Sequence, residues 1–301
     1  MSTRITTGMV QRSVLADLNA ATDRLTRTQK KASSGKELTR PSDDPFNVSR
    51  ALAIRTSLAG TQQYQRTISD ARGWQEASEE SLDTMTNNVK RVQELGIQAG
   101  SDTTDQQGRD GILAEIEQIT AGIKQEANAS YRGRYIFGGT KTDTPPYQDG
   151  PVDTYGGDQI GIARSVGPGV SLQINIIGDS ILGNGQAAGD NKLLHVLRDV
   201  ADHLQAGDTA SLRGTDLSRL TTNLDSLLGI RADNGSLSNR LEAADTRLQQ
   251  IEESETSMLS DTEDADMAKT LIDFNSQSAA YQAALKAGAN IIQPSLMDFL
   301  R

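Results

Sequence analysis

Apolar residues recur along this chain at alternating four- and three-residue spacings. The clearest rows lie at its two ends and in one long stretch between them. Near the N-terminus Val14, Leu18, Ala21, Leu25, Thr28 and Ala32 form such a row, the spacing of a coiled-coil seam. It predicts a helix over roughly Thr6–Gly35, with Gly35 as C-cap. Asp43-Asp44-Pro45 then joins an N-cap carboxylate to a proline at the first helical position. That is a strong start signal, because proline's φ is preset and its missing N–H is not needed there. The helix it opens is predicted to reach about Gly100, with Ile68, Ala71, Gln75, Ser78, Leu82, Met85, Val89, Val92 and Gly96 in heptad register. About 55 residues would make a rod of roughly 80 Å.

A polar loop, Ser101–Gly108, separates this helix from one carrying Ile112, Ile116, Ile119 and Ile123 on a single face. Such a short connection implies antiparallel neighbours. From Arg134 the pattern changes to glycine, proline, aspartate and short β-favouring runs, with strands expected at Gln159–Val166 and Val170–Ile177. Helical periodicity returns at Asn191–Gln205 and again from Thr209, marked by Leu220, Leu224 and Leu227, then by Leu241, Ala244, Leu248, Ile251 and Met258. Gly229–Gly235 is either a kink or a tolerated interruption. The end mirrors the beginning: Met267, Leu271, Phe274, Ser278, Tyr281, Leu285, Gly288 and Ile292 form a second seam. Pro294 should end or kink that helix and leave a short tail with Leu296, Phe299 and Leu300.

These elements predict a mainly α fold: a long antiparallel helical bundle with paired terminal coiled-coil helices and a small β-rich insertion. The expected division is terminal helices in residues 1–44 and 259–301, a helical body of 45–135 and 191–258, and a β-rich insertion of 136–190. The two end helices either complete one intramolecular bundle or are held for contacts between subunits. Small and polar seam residues such as Thr28, Ser278 and Gly288 would make the pair weak alone, since helices gain most of their stability from packing. This favours contacts between subunits.

Composition sharpens the picture. Aromatic residues make up 4% of the 301-residue chain, with one Trp and four Phe, which suits narrow helix seams better than a thick core. A net charge of −10 argues against nucleic acid as partner, because phosphate neutralisation dominates that affinity. There is no cysteine, which removes disulfides, thiolate metal sites and cysteine nucleophiles. The opening MSTRITTGMVQRS has no apolar run of the length a secretory signal needs. No stretch approaches the length of a membrane span, so no membrane insertion is expected.

Candidate chemistry is sparse. Gly178-Asp179-Ser180-Ile181 resembles the nucleophile block of one class of lipases and esterases, but that chemistry needs an Asp-x-x-His partner. The two histidines, His195 and His203, follow Lys192 and Val200 at that spacing, so a strand-ending turn is the better reading. Eight residues on one helix also separate the histidines too far for a shared metal. Asp261–Asp266 lacks the central glycine and final glutamate of a calcium loop. The glycine pairs at Gly138 and Gly156 fit neither a dinucleotide fingerprint nor a phosphate loop. Asn47, Asn128 and Asn234 begin glycosylation triplets too common to weigh. No catalytic, cofactor or metal site is expected.

Four blocks, in order, resemble the bacterial flagellin superfamily. Arg24-Leu25 followed by Ser33-Ser34-Gly35 and Asp43-Asp44-Pro45 is the first. VKRVQELGIQA at Val89–Ala99, RADNGSLSNRL at Arg231–Leu241 and Asp264-Ala265-Asp266-Met267-Ala268 complete the set. YRGRYIFGG at Tyr131–Gly139, ahead of a short insertion, and the ending IIQPSLMDFL look more like members that join hook to filament than like filament flagellin, the alternative. The resemblance implies a structural subunit that assembles with itself through the two seams. It also implies a neighbouring hook-associated junction protein, flagellin, and an export chaperone on the C-terminal helix as partners. Export through the flagellar type III apparatus, without a cleaved signal, would place the protein outside the cell.

Overall fold

A computed structural model describes residues 7–101 and 105–292. In chain order it contains α1 (Thr7–Ser34), α2 (Pro45–Ala99), α3 (Gln106–Ala127), β1 (Ser130–Tyr131), β2 (Arg134–Tyr135), β3 (Ala163–Gly167) and β4 (Val170–Gln173). These are followed by α4 (Gly178–Leu182), α5 (Leu193–Ala206), the single turn α6 (Thr209–Ser211), α7 (Leu217–Glu263) and α8 (Met267–Ile292). A π-helical segment, Leu212–Asp216, leads into α7. The fold is mainly α, as the periodicity predicts. The break expected at Pro294 and the tail with Leu296, Phe299 and Leu300 lie outside the described residues. By internal contacts the chain divides into two compact units, Met1–Gly60 with Ile251–Arg301, and Thr61–Gln250.

The second unit holds the core. The whole predicted row of α2, from Ile68 to Gly96, is buried. It is joined there by Ile112, Ile116 and Ile123 of α3 and by Leu220, Leu227, Leu241 and Leu248 of α7. Helix α7 runs unbroken through Gly229 and Gly235. Each glycine costs an exposed helix about 1 kcal/mol, which burial of Leu227 and Leu241 on the same helix offsets. Trp74 is buried and meets the Tyr131 ring edge-on at 6.3 Å between centroids. Tyr131 lies over Gly73, where a Cβ would stand 2.3 Å from its hydroxyl oxygen, so any side chain there would have to displace the Tyr131 ring.

Two small antiparallel hairpins follow α3, the first just ahead of the insertion and the second within it. Strands β1 and β2 pair Ser130 with Tyr135 and Tyr131 with Arg134, while β3 and β4 pair Ala163 with Gln173 and Arg164 with Leu172. The second hairpin is shorter than the alternation suggests, because a side chain replaces the ladder at its open end. Asn175 Oδ1 accepts the Ile162 N–H at 2.6 Å, and its amide donates to the Ile160 carbonyl at 3.3 Å. The remaining loops are tied down by polar side chains. Buried Lys124 donates to the Gly150 and Val152 carbonyls at 2.7 and 2.8 Å and meets Asp153 at 3.1 Å. Arg198 reaches the same carboxylate at 2.8 Å. Burial alone would push the Asp153 carboxyl up, but hydrogen bonds and charge from Arg198 and Lys124 hold it below the usual carboxylate range. Tyr147 is fully buried and donates its hydroxyl to the Gly183 carbonyl at 2.8 Å.

In the first unit α1 lies against α8. Gly288 near the end of α8 faces Val14 near the start of α1, and Lys36 just past α1 bridges Asp264 just before α8 in antiparallel fashion. The two terminal helices are therefore antiparallel. Helix α2 begins as predicted: Asp44 Oδ1 accepts the Phe46 and Asn47 N–H groups at 3.1 and 3.0 Å, and Pro45 occupies the first helical position. At the start of α8 Asp266 accepts the Lys269 N–H at 3.1 Å.

Candidate assembly interface

Every residue of the predicted N-terminal seam is covered to some degree: Ala21 is buried, and Val14, Leu18, Leu25, Thr28 and Ala32 are half-buried. Apart from Lys31, their neighbours along the described face from Met9 to Ser34 are exposed. The heptad row is thus the face that α1 turns inward.

Helix α8 is different. Of its predicted seam, Phe274, Ser278 and Tyr281 are half-buried and Gly288 is buried. Met267, Leu271 and Leu285 remain 42%, 50% and 41% exposed, and the side chain of Ile292 lies outside the described residues. The inward row passes instead through Thr270, Phe274, Gln277, Tyr281, Ala284 and Gly288. Sequence periodicity missed Thr270, Gln277 and Ala284, because α8 is apolar on more than one side and two heptad rows compete. At Gly288 an added Cβ would stand 3.1 Å from Val14 Cγ1, so a small residue lets the backbones approach.

The exposed positions of α8 include Leu271, Ile272, Ala279, Ala280, Ala283, Leu285 and Ala287, interspersed with Lys269, Asp273, Asn275, Ser276, Gln282 and Lys286; Ile272 is the most open at 69%. The outer side of α1 carries Asp17, Asp23, Arg24, Arg27 and Lys30. Large apolar side chains left open beside a packed face are surface that a contact would cover. A groove of about 430 Å³ runs beside the pair, lined by Arg24, Arg27 and Lys31 of α1 and by Asp266, Lys269 and Asp273 on the α8 side.

Where the chain passes from α1 to α2 and from α7 to α8, a cluster of charges appears that local pattern did not signal. Glu263 accepts from Lys36 Nζ at 2.7 Å and from Arg55 Nη2 at 2.5 Å, and Lys36 also reaches Asp264 at 2.5 Å. The hydrogen bonds that Lys36 donates to Asp264 and Glu263 raise its pKa, while Lys36 and Ser260 hold the Asp264 carboxyl down. The partners are more than 200 residues apart in sequence, at separations of 227 and 208, so no spacing rule could have paired them.

The groups considered for catalysis are occupied locally. Ser180 donates its hydroxyl to the Ile177 carbonyl at 2.7 Å, which closes the turn that opens α4. His195 accepts the Asn191 N–H on Nδ1 at 3.1 Å and faces Asp199 through Nε2 at 3.2 Å. His203 meets buried Asp216 at 2.6 Å. Among the described residues no cluster of three or more His, Asp or Glu could hold a metal, and no helix is long and apolar enough to cross a membrane.

The family described as the bacterial flagellin N-terminal helical region matches residues 5–142. Flagellar hook-associated protein 3 of Escherichia coli is 28% identical over 274 residues, covering 85% of this chain and 86% of that protein. Flagellin of Bacillus subtilis is 28% identical over 290 residues, covering 91% and 92%. The crystal structure of Bacillus cereus FlgL superposes with a TM-score of 0.59 at 25% identity, covering 69% of this chain and 99% of that one.

Proposed function

We infer that this chain, which belongs to the bacterial flagellin superfamily, is a structural subunit of the flagellum that joins hook to filament. The observation that carries the assembly part of this reading is the set of exposed apolar side chains on α8. One face covers α1, and Leu271, Ile272 and Leu285 outside it stay open among the described residues. Exposed apolar surface of this kind marks a contact site. The similarity to hook-associated protein 3 in sequence and in structure supports the junction over the filament. Filament flagellin is the second reading, favoured by the Bacillus subtilis match along nearly the whole chain.

The two seams are the self-assembly interface in this proposal. Val14, Leu18, Ala21, Leu25, Thr28 and Ala32 hold the pair together, and Met267, Leu271 and Leu285 meet neighbouring copies. Residues 1–44 with 259–301 form the inner layer, 45–135 with 191–258 the helical middle, and 136–190 the outer domain. Besides itself, the subunit contacts a neighbouring hook-associated junction protein on one side and flagellin on the other. A chaperone covers the exposed face of α8 before export through the flagellar type III apparatus, without a cleaved signal peptide, to the outside of the cell. The role is structural and not enzymatic.

Electron microscopy of cells lacking this protein tests the reading. Completed hooks without filaments are expected, with unpolymerised flagellin in the medium. Normal filaments in the deletion strain would exclude the junction role.

A further inference from the structure

Among the described residues, the fully covered positions of the first unit are Ala21, Ala51, Glu263, Thr270 and Gly288. No large apolar side chain is among them. The one charged group buried there is Glu263, whose side chain is 7% exposed. A buried carboxylate is costly unless it is paired and hydrogen-bonded, and here each oxygen has its own cation, Lys36 on Oε1 and Arg55 on Oε2. The backbone adds two bonds at the same place. The Glu37 N–H donates to the Glu263 carbonyl at 2.7 Å, and the Ala265 N–H donates to the Gly35 carbonyl at 2.9 Å. The segment leaving α1, the first turns of α2, the last residue of α7 and the approach to α8 are thereby tied at one carboxylate.

Apolar contact is non-directional, whereas an ion pair with two fixed cations and an antiparallel backbone bridge holds one orientation. We propose that Glu263 is a positioning residue for assembly. Gripped by Lys36 and Arg55, it sets the direction in which the α1–α8 pair leaves this junction, and so the direction in which the outer face of α8 is presented. The consequence for assembly rests on the function proposed above; the grip itself does not.

The test uses the full-length chain with Glu263→Gln, which keeps size and polarity and removes the charge. Cleavage after Glu37 by a glutamate-specific protease, in the segment the grip restrains, should be at least ~10-fold faster than in the wild type, because one partner of a buried ion pair is lost. Helix content and the melting of the second unit, followed through Trp74, should be unchanged. Restoration of filaments in the deletion strain should be lost. Lys36→Met, which leaves the Arg55 pair in place, should show both defects at smaller size, and Lys36→Arg should show neither. If Glu263→Gln does not fold, Lys36→Met decides. Unchanged cleavage after Glu37 would overturn the grip. Faster cleavage with full restoration of filaments would overturn its role in assembly. If the deletion strain itself makes normal filaments, the junction function and the positioning role fall together, while proteolysis still judges the grip.

Discussion

The two units of this chain stabilise themselves in different ways. In the second, α2, α3 and α7 bring Ile68, Leu82, Met85, Val89, Ile116, Ile123, Leu220 and Leu227 to essentially zero exposure. In the first, the covered side chains are Ala21, Ala51, Thr270 and one carboxylate, and the larger seam residues stay partly open. Both are built from heptad-spaced helices, so periodicity does not separate them. What separates them is the number of helix faces available. A buried row needs neighbours on several sides, and α1 and α8 have chiefly one another. The lesson is that a good seam in a sequence promises a contact but does not say whether the chain supplies enough of it.

If that contrast is right, core truncation in the second unit should be costly. Leu82→Ala removes a fully buried side chain and is expected to destabilise by about 2–5 kcal/mol. Denaturant unfolding followed by the emission of Trp74, the single tryptophan, would measure it. A loss under 1 kcal/mol would mean that this core is as loose as the terminal pair.

A smaller effect is expected from acid. The Asp153 carboxyl is held below its ordinary range in the folded chain, so its contribution is complete above the unfolded pKa of about 3.9 and fades as pH falls below it. Asp153→Asn should therefore cost stability near neutrality and flatten the loss of stability below about pH 4. Unfolding curves of both proteins between pH 3 and 7 would check this; parallel curves would show that Lys124 and Arg198 do not act through the charge of Asp153.

The smallest effect on folding should come from the outer face of α8. Leu285→Asp is expected to change the stability of the second unit by no more than about 0.5 kcal/mol, as surface substitutions usually do, yet to abolish assembly. In an assembled contact the new carboxylate would be buried without a partner. Ser180→Ala, whose hydroxyl only closes a turn, is the control and should alter neither. A fully motile Leu285→Asp strain would remove that face from the interface. Collapse of the whole monomer would place it in a core.

Much of the fold was legible in one dimension. The row from Ile68 to Gly96, the Asp44-Pro45 start, the Ile112–Ile123 face and a heptad row at each end all follow from spacing and capping chemistry. Those are local rules, acting within a few turns of one helix. The likeness of the four blocks to flagellins was equally readable, since it rests on residue identity alone. Three things were decided only by tertiary structure. Thr270, Gln277 and Ala284 line the inner face of α8 because α1 packs on a row shifted by one residue from the more apolar Leu271, Ser278 and Leu285. The second hairpin stops early because Asn175 takes over its backbone partners. Glu263 is buried because Lys36 and Arg55 arrive from a distant part of the chain. In each case the outcome depends on which groups meet across long sequence separations, and pattern within a segment carries no information about that.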